Sequence, residues 1–299
     1  MPTPVIIDTD PGIDDAVAIF CALAAPSLRV LGLTTVAGNI GLETTTANAG
    51  RILSLAGVDV PVIRGAAGPL ARAGFAATDV HGNDGLGGVA MPDPVAAPRD
   101  GAVDWMADTL TSHPEGAVDL FTLGPLTNLA GLLERRPEAA RRLRRVIAMG
   151  GAVDERGNVS PRAEFNFAAD PEAAERVLAA GLPLTLVPLD VTRRVRARPA
   201  DTATLRAGPR PEARAAGALI DAYFLTTQGG DSRPLHDPCV VLLAEAPQLF
   251  RCETRVLGVD TSGGPDAGAL GPGPHPVTVA MGVDGAAALD LLMRRLMGQ

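Results

Sequence analysis

Strand-like and helix-like segments alternate along this chain, and that rhythm restricts the folds open to it more than any other feature. Residues 4–9 (PVIIDT) read as a short buried strand. Residues 14–25 (DDAVAIFCALAA) are apolar almost all round, as suits a helix pressed against a sheet. Residues 29–36 (RVLGLTTV) are β-branched and strand-like. The pattern then predicts a helix at 43–56, a strand at 60–64 and a long glycine-rich loop at about 65–98. A helix near 101–113, a strand at 117–123, a helix at 126–135 and a strand at 144–149 follow. A loop to 169 leads into a helix at 171–180 and a strand at 184–189. Beyond 190 the pattern is mainly helical to about 245. Two late strands, 252–260 and 276–283, are separated by a flexible turn region at 262–276 and precede a last helix at 284–297.

The expected architecture is α/β: a mostly parallel central sheet with helices on both faces, a Rossmann-like core. With 299 residues, 46% of them hydrophobic, the chain can build one large core. No repeat and no clear linker divides it, so a single domain over 1–299 is expected.

The net charge is −8, which disfavours nucleic acid as a general partner. All the basic residues are arginine, so no mechanism that needs a lysine is open. Cys21, Cys239 and Cys252 are odd in number and widely spaced, and they read as reduced thiols, not as a disulfide frame or zinc site. No signal peptide and no bilayer-spanning run is apparent, so a cytoplasmic location is expected.

In "VIIDTDPGIDDA" four carboxylates, Asp8, Asp10, Asp14 and Asp15, fall within eight residues just after the first strand. Crowded like charges are costly unless a cation or hydrogen bonds compensate them. Asp14 and Asp15 alone fit the favourable first turn of a helix. Asp8 and Asp10 at the strand end do not, and a hard cation with oxygen ligands accounts for all four. Calcium or magnesium suits this set better than zinc, because neither cysteine nor clustered histidine accompanies it.

Other polar clusters also follow strands. Gly38–Asn39 follow the second, "TLGPLTN" (122–128) closes a third and "MGGAVDERGNVSPRAEFNFAADP" (149–171) follows a fourth. Ligands of open α/β sheets bind outside the carboxyl ends of the strands, so these clusters converge on one pocket. In "EFN" an extended segment points Glu164 and Asn166 the same way, a carboxylate and an amide suited to vicinal sugar hydroxyls. In "LHDP" Asp237 fits a helix N-cap with one oxygen left for a metal, and His236 beside it fits an acid. His81 lies in the glycine-rich "VHGNDGLGG", a mobile loop able to close over a pocket.

Together "DTDPGIDDA", "TVAGN", "LGPLTN", "MGG", "EFN" and "HDP" resemble the nucleoside hydrolase family, the calcium-dependent N-ribohydrolases of the inosine–uridine type. The likeness runs from about residue 5 to 295 in the same motif order. It implies hydrolysis of ribonucleosides to free base and ribose, a role in purine or pyrimidine salvage, and a homodimer or homotetramer. It implies that Asp10, Asp15, Asp237 and the main-chain carbonyl of Leu123 ligate Ca2+, with Asp10 also the base toward the attacking water. Asp14 and Asn39 would hold ribose hydroxyls near the metal. Asn158, Glu164 and Asn166 would grip the rest of the sugar, with Met149 beside it. His236 and His81 would lie near the base. The sequence departs from the family at Asn83, where many members carry Glu, and in the Gly/Pro-rich turn 262–276. It is also poor in aromatics, which leaves Tyr223, Phe224 or a histidine to stack on the base.

Two rival functions start from the same residues. A phosphatase of the haloacid dehalogenase type also begins with a strand ending in Asp-x-Asp, with Asp8 as nucleophile and magnesium as cofactor. Pro11–Gly12 and the missing lysine speak against it. A non-catalytic nucleoside- or sugar-binding homologue is the other, although every candidate catalytic group is present.

Overall fold

The structure, a computed structural model, describes residues 1–227 and 230–299. In chain order its elements are β1 (Thr3–Thr9), α1 (Ile13–Ala24), β2 (Leu28–Thr35), α2 (Leu42–Ala56), β3 (Val62–Arg64), α3 (Thr78–His81), β4 (Arg99–Asp100) and α4 (Ala102–Ser112). The middle holds β5 (Asp119–Thr122), α5 (Thr127–Arg135), α6 (Pro137–Ala140), β6 (Arg145–Met149), α7 (Phe165–Ala169), α8 (Pro171–Ala179), β7 (Leu184–Val187) and α9 (Leu189–Thr192). The last third holds β8 (Arg196–Ala197), α10 (Pro199–Arg206), α11 (Pro211–Thr226), β9 (Arg233–Pro234), α12 (Pro238–Glu245), β10 (Phe250–Val259), β11 (Leu270–Pro272), β12 (His275–Val283) and α13 (Gly285–Met297).

Ten strands form one sheet in the order β11-β10-β12-β7-β6-β5-β1-β2-β3-β4. From β12 to β4 every pairing is parallel, and only the β10 pairings with β11 and β12 are antiparallel. The chain winds outward from β1 through β2, β3 and β4, then restarts at β5 on the other side of β1 and winds through β6 and β7. The strand order therefore reverses between β1 and β5, and a crevice opens at their carboxyl ends.

Both faces of β1 are dry. Val5 and Ile7 point into the larger core, with α1, α2 and α11–α13, while Ile6 points into the second core, with α4–α6 and α8. This is why the strand reads as an unbroken apolar run and not as an alternation. Every residue of α1 from Ile13 to Ala22 is buried, because α1 packs on α11, α12 and α13 as well as on the sheet.

Several segments differ from the sequence pattern, among them the expected loops at 65–98 and up to 169, which contain α3 and α7. The strand predicted at 184–189 stops at Val187, since Pro188 has no N–H to continue the ladder, and α9 begins at Leu189. The turn region 262–276 contains the edge strand β11, which pairs Leu257 with Pro272. The mainly helical stretch after 190 contains the two-residue ribbon β8–β9. That ribbon matters below, because it brings the end of α9 beside "LHDP".

Candidate active site

The first acidic motif is shaped by the end of β1. Val36 N–H donates to the Thr9 carbonyl (3.1 Å) and Leu123 N–H to the Asp8 carbonyl (2.8 Å), so the ladder runs on just past the strands. Pro11–Gly12 then turn the chain into α1, whose first turn carries Asp14 and Asp15 at the positive end of the helix dipole. Asp15 is fully held: its carboxylate accepts from Thr9 Oγ1 (2.5 Å), Gly12 N–H (2.9 Å) and Asn39 Nδ2 (3.0 Å).

Asp10 sits deeper. Its Oδ2 accepts from the Asn39 backbone N–H (2.7 Å), but its Oδ1, fully buried, has no partner among the described residues. The loops beside it are glycine for a steric reason. A Cβ on Gly38 would stand 2.1 Å from Asp10 Oδ2, and one on Gly124 would stand 2.3 Å from Oδ1. Two backbones thus close on one carboxylate and leave an oxygen unpaired.

Asp14, Asp15 and Asp237 each bring a carboxylate oxygen within 4.8 Å of the others. At such a separation each pair of ionised groups repels by about 3 kcal/mol at an effective dielectric of about 20. Burial, followed by the charge of Asp15, pushes Asp10 well above the usual carboxylate range, and burial followed by Asp14 does the same to Asp237. Burial also raises Asp14 and Asp15. These oxygens, the orphaned Asp10 Oδ1 and the all-oxygen donor set fit a hard divalent cation, whose charge offsets both the repulsion and the burial. Asp14, expected at the ribose, is one of the three carboxylates brought together, and Asp10 borders them.

Asp237 does not cap α12 as its place before proline suggested. It is already helical (φ −64°, ψ −36°) and its side chain makes no capping bond, so its carboxylate points to the acidic group instead.

The cavity beside this group is about 780 Å³. Its lining includes Asp14, Asn39, Leu123, Met149, Asn158, Glu164 and Asn166. "EFN" is not extended: Glu164 caps α7, accepting from the backbone N–H of Asn166 (3.0 Å) and Phe167 (3.3 Å), and from Gly151 (2.9 Å). Asn166 lies in the helix, and its Nδ2 donates to the Leu123 carbonyl (2.6 Å). It thereby aims that carbonyl, whose second lone pair stays available. Asn158 Oδ1 accepts from Phe165 N–H (2.9 Å).

Both histidines line the same cavity. His81, on α3, is buried, not solvated: Ile13 N–H donates to its Nδ1 (3.0 Å). The glycine-rich loop is fastened, with Asn48 Nδ2 donating to the Pro11 and Asp84 carbonyls. Burial lowers His81 to about 4, and burial followed by Arg193 lowers His236 to about 3, so both imidazoles are neutral at pH 7. Tyr223, on α11, lines the cavity too; burial, then the nearby Asp14 charge, raises its phenol.

Asp8 stands apart from the other three acids. It is buried, its Oδ1 accepts from Thr34 Oγ1 (2.5 Å) and Asn128 Nδ2 (2.8 Å), and its Oδ2 has no partner among the described residues. Burial raises it to about 6. Hydrogen bonds hold one oxygen of this fourth carboxylate, which is not among the three that approach within 4.8 Å of one another.

Over residues 5–290 the sequence matches the profile of the family described as inosine-uridine preferring nucleoside hydrolase. The chain belongs to that family. A pyrimidine-specific ribonucleoside hydrolase, RihA, of Citrobacter koseri is 41% identical over 99% of this chain and 98% of the relative, and RihA of Shewanella woodyi is 40% identical over the same shares. A plant nucleoside hydrolase, PpNRh1, superposes with TM-score 0.91 at 34% identity over 100% of both chains. The purine-preferring ribonucleoside hydrolase of Gardnerella vaginalis gives 0.90 at 30%, over 99% of this chain and 98% of that one.

As a nucleoside hydrolase the chain acts on N-glycosyl bonds, and the phosphatase reading fails on geometry as well. Its nucleophile, Asp8, is buried and held by two donors. Among the described residues no helix is long and apolar enough to cross a membrane.

The hydrolase pocket also contains residues that the sequence did not single out. Phe75 and Phe165 line it as an edge-to-face pair with centroids 5.3 Å apart, one from the loop after β3 and one from α7. Arg193, Arg196 and Arg233 line it too, each tied to backbone carbonyls. No local pattern marks them. Phe224, a candidate for base stacking, lies instead under the Arg233 guanidinium (4.5 Å).

Proposed function

We propose that this chain hydrolyses pyrimidine ribonucleosides to free base and ribose with a bound Ca2+. The observation that carries the reading is one cavity lined by both buried carboxylates and two histidines. The base preference is supported by the full-length likeness to RihA.

Asp10, Asp15, Asp237 and the Leu123 carbonyl are the proposed ligands, with Asp14 beside them at the ribose. When bound, such a cation supplies positive charge that orients water and lowers its pKa. Calcium is a mild Lewis acid, so a base is needed at the water. Asp10 is proposed for that task, since its unpaired Oδ1 is the acceptor left over.

Breaking the glycosidic bond builds positive charge on the ribose. The carboxylates and the amide oxygens of the sugar end stabilise that charge without reorganising, because hydrogen bonds already fix them. Asn39, Asn158, Glu164 and Asn166 grip the hydroxyls, and Met149 packs beside the ring. At the other end, His236 and His81 donate hydrogen bonds to the departing base.

The chain is read as cytoplasmic and as serving nucleoside salvage. Three free cysteines, two of them buried, agree with a reducing compartment. A homodimer or homotetramer is the assembly that the family resemblance implies.

Product analysis on a panel of ribonucleosides, with and without chelator, tests the reading. Uracil or cytosine release that stops on chelation and returns with Ca2+ is expected. Release of purines alone, or indifference to chelator, counts against it.

A further inference from the structure

The hydrogen bond between Thr192 Oγ1 and His236 Nδ1 (2.7 Å) carries an inference about how the leaving-group end is set. Thr192 is fully buried, and its hydroxyl has no other hydrogen-bond partner among the described residues. Its single proton therefore has one place to go. If Thr192 donates to Nδ1, both groups are satisfied and the imidazole proton sits on Nε2. If instead Nδ1–H donates to Oγ1, the hydroxyl proton is left buried without an acceptor, at a cost of about 1–3 kcal/mol. The first arrangement wins on this balance, and a difference of that size populates one tautomer about 5- to 150-fold over the other.

The surrounding structure holds Thr192 in place. It ends α9, its N–H donates to the Pro188 carbonyl (3.2 Å), and its branched Cβ stiffens χ1. Asp190, two residues earlier in α9, is buried and accepts three backbone N–H groups, from Val153 (2.9 Å), Asp154 (2.8 Å) and Glu155 (3.1 Å). The β8–β9 ribbon and the bond from Leu235 N–H to the Val195 carbonyl (2.9 Å) set the spacing between α9 and His236. The other histidine is poised in the same sense by different means. His81 Nδ1 accepts from a backbone amide, Ile13 N–H, so its proton also sits on Nε2.

We propose that Thr192 is a positioning residue that holds His236 in the Nε2–H tautomer, with that N–H turned to the cavity as the donor to the departing base. The proposal rests on reading His236 as that donor. A histidine with the proton on Nδ1 would present a lone pair to the base and oppose its departure.

Imidazole ¹⁵N spectra of the histidine-labelled enzyme test the tautomer directly. In the wild type a protonated Nε2 and an unprotonated, hydrogen-bonded Nδ1 are expected for His236, with H236A supplying the assignment. A proton on Nδ1 overturns the proposal. Thr192→Val, which keeps the shape and removes the hydroxyl, is expected to shift this signature and to lower kcat on uridine by about 10- to 100-fold. The same variant is expected to stay within about threefold of wild type on a riboside with an activated leaving group such as p-nitrophenol, which needs no donor. Thr192→Ser is expected to restore both readouts, and Thr192→Ala serves if the valine variant does not fold. Equal losses on both substrates, or an unmoved spectrum, overturn the proposal. If H236A itself slows both substrates equally, the donor reading of His236 fails, while the wild-type spectrum still decides which tautomer Thr192 enforces.

Discussion

On the proposed reading the carboxylates mark the sugar end of the cavity and the histidines the base end, and these two groups of side chains face opposite problems. At the sugar end, buried carboxylates crowd together, raised by burial and by one another, and need added positive charge. At the base end, two histidines are pushed the other way, to about 4 and about 3, and stay neutral. Burial drives both shifts, because it penalises whichever form is charged. The difference lies in what could compensate: a cation rescues ionised oxygens, whereas a neutral imidazole needs only an N–H aimed at an acceptor. On this reading one end depends on an ion and the other on hydrogen-bond geometry, and substitutions at the two are expected to have different signatures.

The sugar end has the larger expected effects. Asp10→Asn keeps the size of the side chain and removes its charge and basicity, and kcat/KM is expected to fall by about 1,000-fold or more. Calorimetric titration with Ca2+ should show affinity weakened in the same variant; near-normal turnover or unchanged affinity breaks the proposed role. Chelation comes next. Ca2+ at a hundred times its Kd should stabilise the folded chain by about 2.7 kcal/mol, read as a rise in Tm on addition and a fall with chelator. The sign with pH follows from the raised carboxylates: protons compete with the cation, so the Tm gain should grow as pH rises and shrink toward acid. A gain that is flat or larger in acid means that these carboxylates are not the ligands.

The sequence made the sugar end the more legible of the two, for a physical reason. Ionised groups just after an apolar strand have to be explained, so Asp10 and Asp15 stand out without any structure. Parallel strands deliver such positions to one edge, which also made the architecture legible from the alternation of elements. The base end leaves no such mark. Thr192 looks like an ordinary helical threonine, and Phe75 and Phe165 look like core aromatics; only tertiary contacts bring them to the pocket. "EFN" misled because strand alternation was assumed where Glu164 caps a helix with its own carboxylate. Asp8 misled in the other direction, because a partner that pays for its burial, Asn128, lies 120 residues away.

At the base end His236→Ala should slow natural nucleosides by about 10- to 100-fold and an activated riboside far less. This pattern sharpens the contrast, since Asp10→Asn should slow both substrates alike. Equal losses from His236→Ala would instead assign the histidine to holding the substrate.

The smallest effect on turnover is expected at Asp8, the carboxylate of the first motif that is held by side-chain hydrogen bonds and is not a proposed ligand. Asp8→Asn keeps an oxygen for Thr34 and Asn128, and kcat/KM should stay within about threefold. Stability should change instead. The folded pKa of Asp8, about 6, lies above the ordinary 3.8, so between these values the folded state binds more protons than the unfolded one. Asp8 therefore withdraws stability as pH rises from about 4 to about 6, by up to about 3 kcal/mol for a shift of that size. Asparagine has no charge to desolvate. Wild type and variant should have similar urea midpoints at pH 4, and the variant should be the more stable at pH 7.5. A variant that instead loses activity as Asp10→Asn does would place Asp8 within the cation site and erase the distinction between a carboxylate held by hydrogen bonds and one that needs an ion.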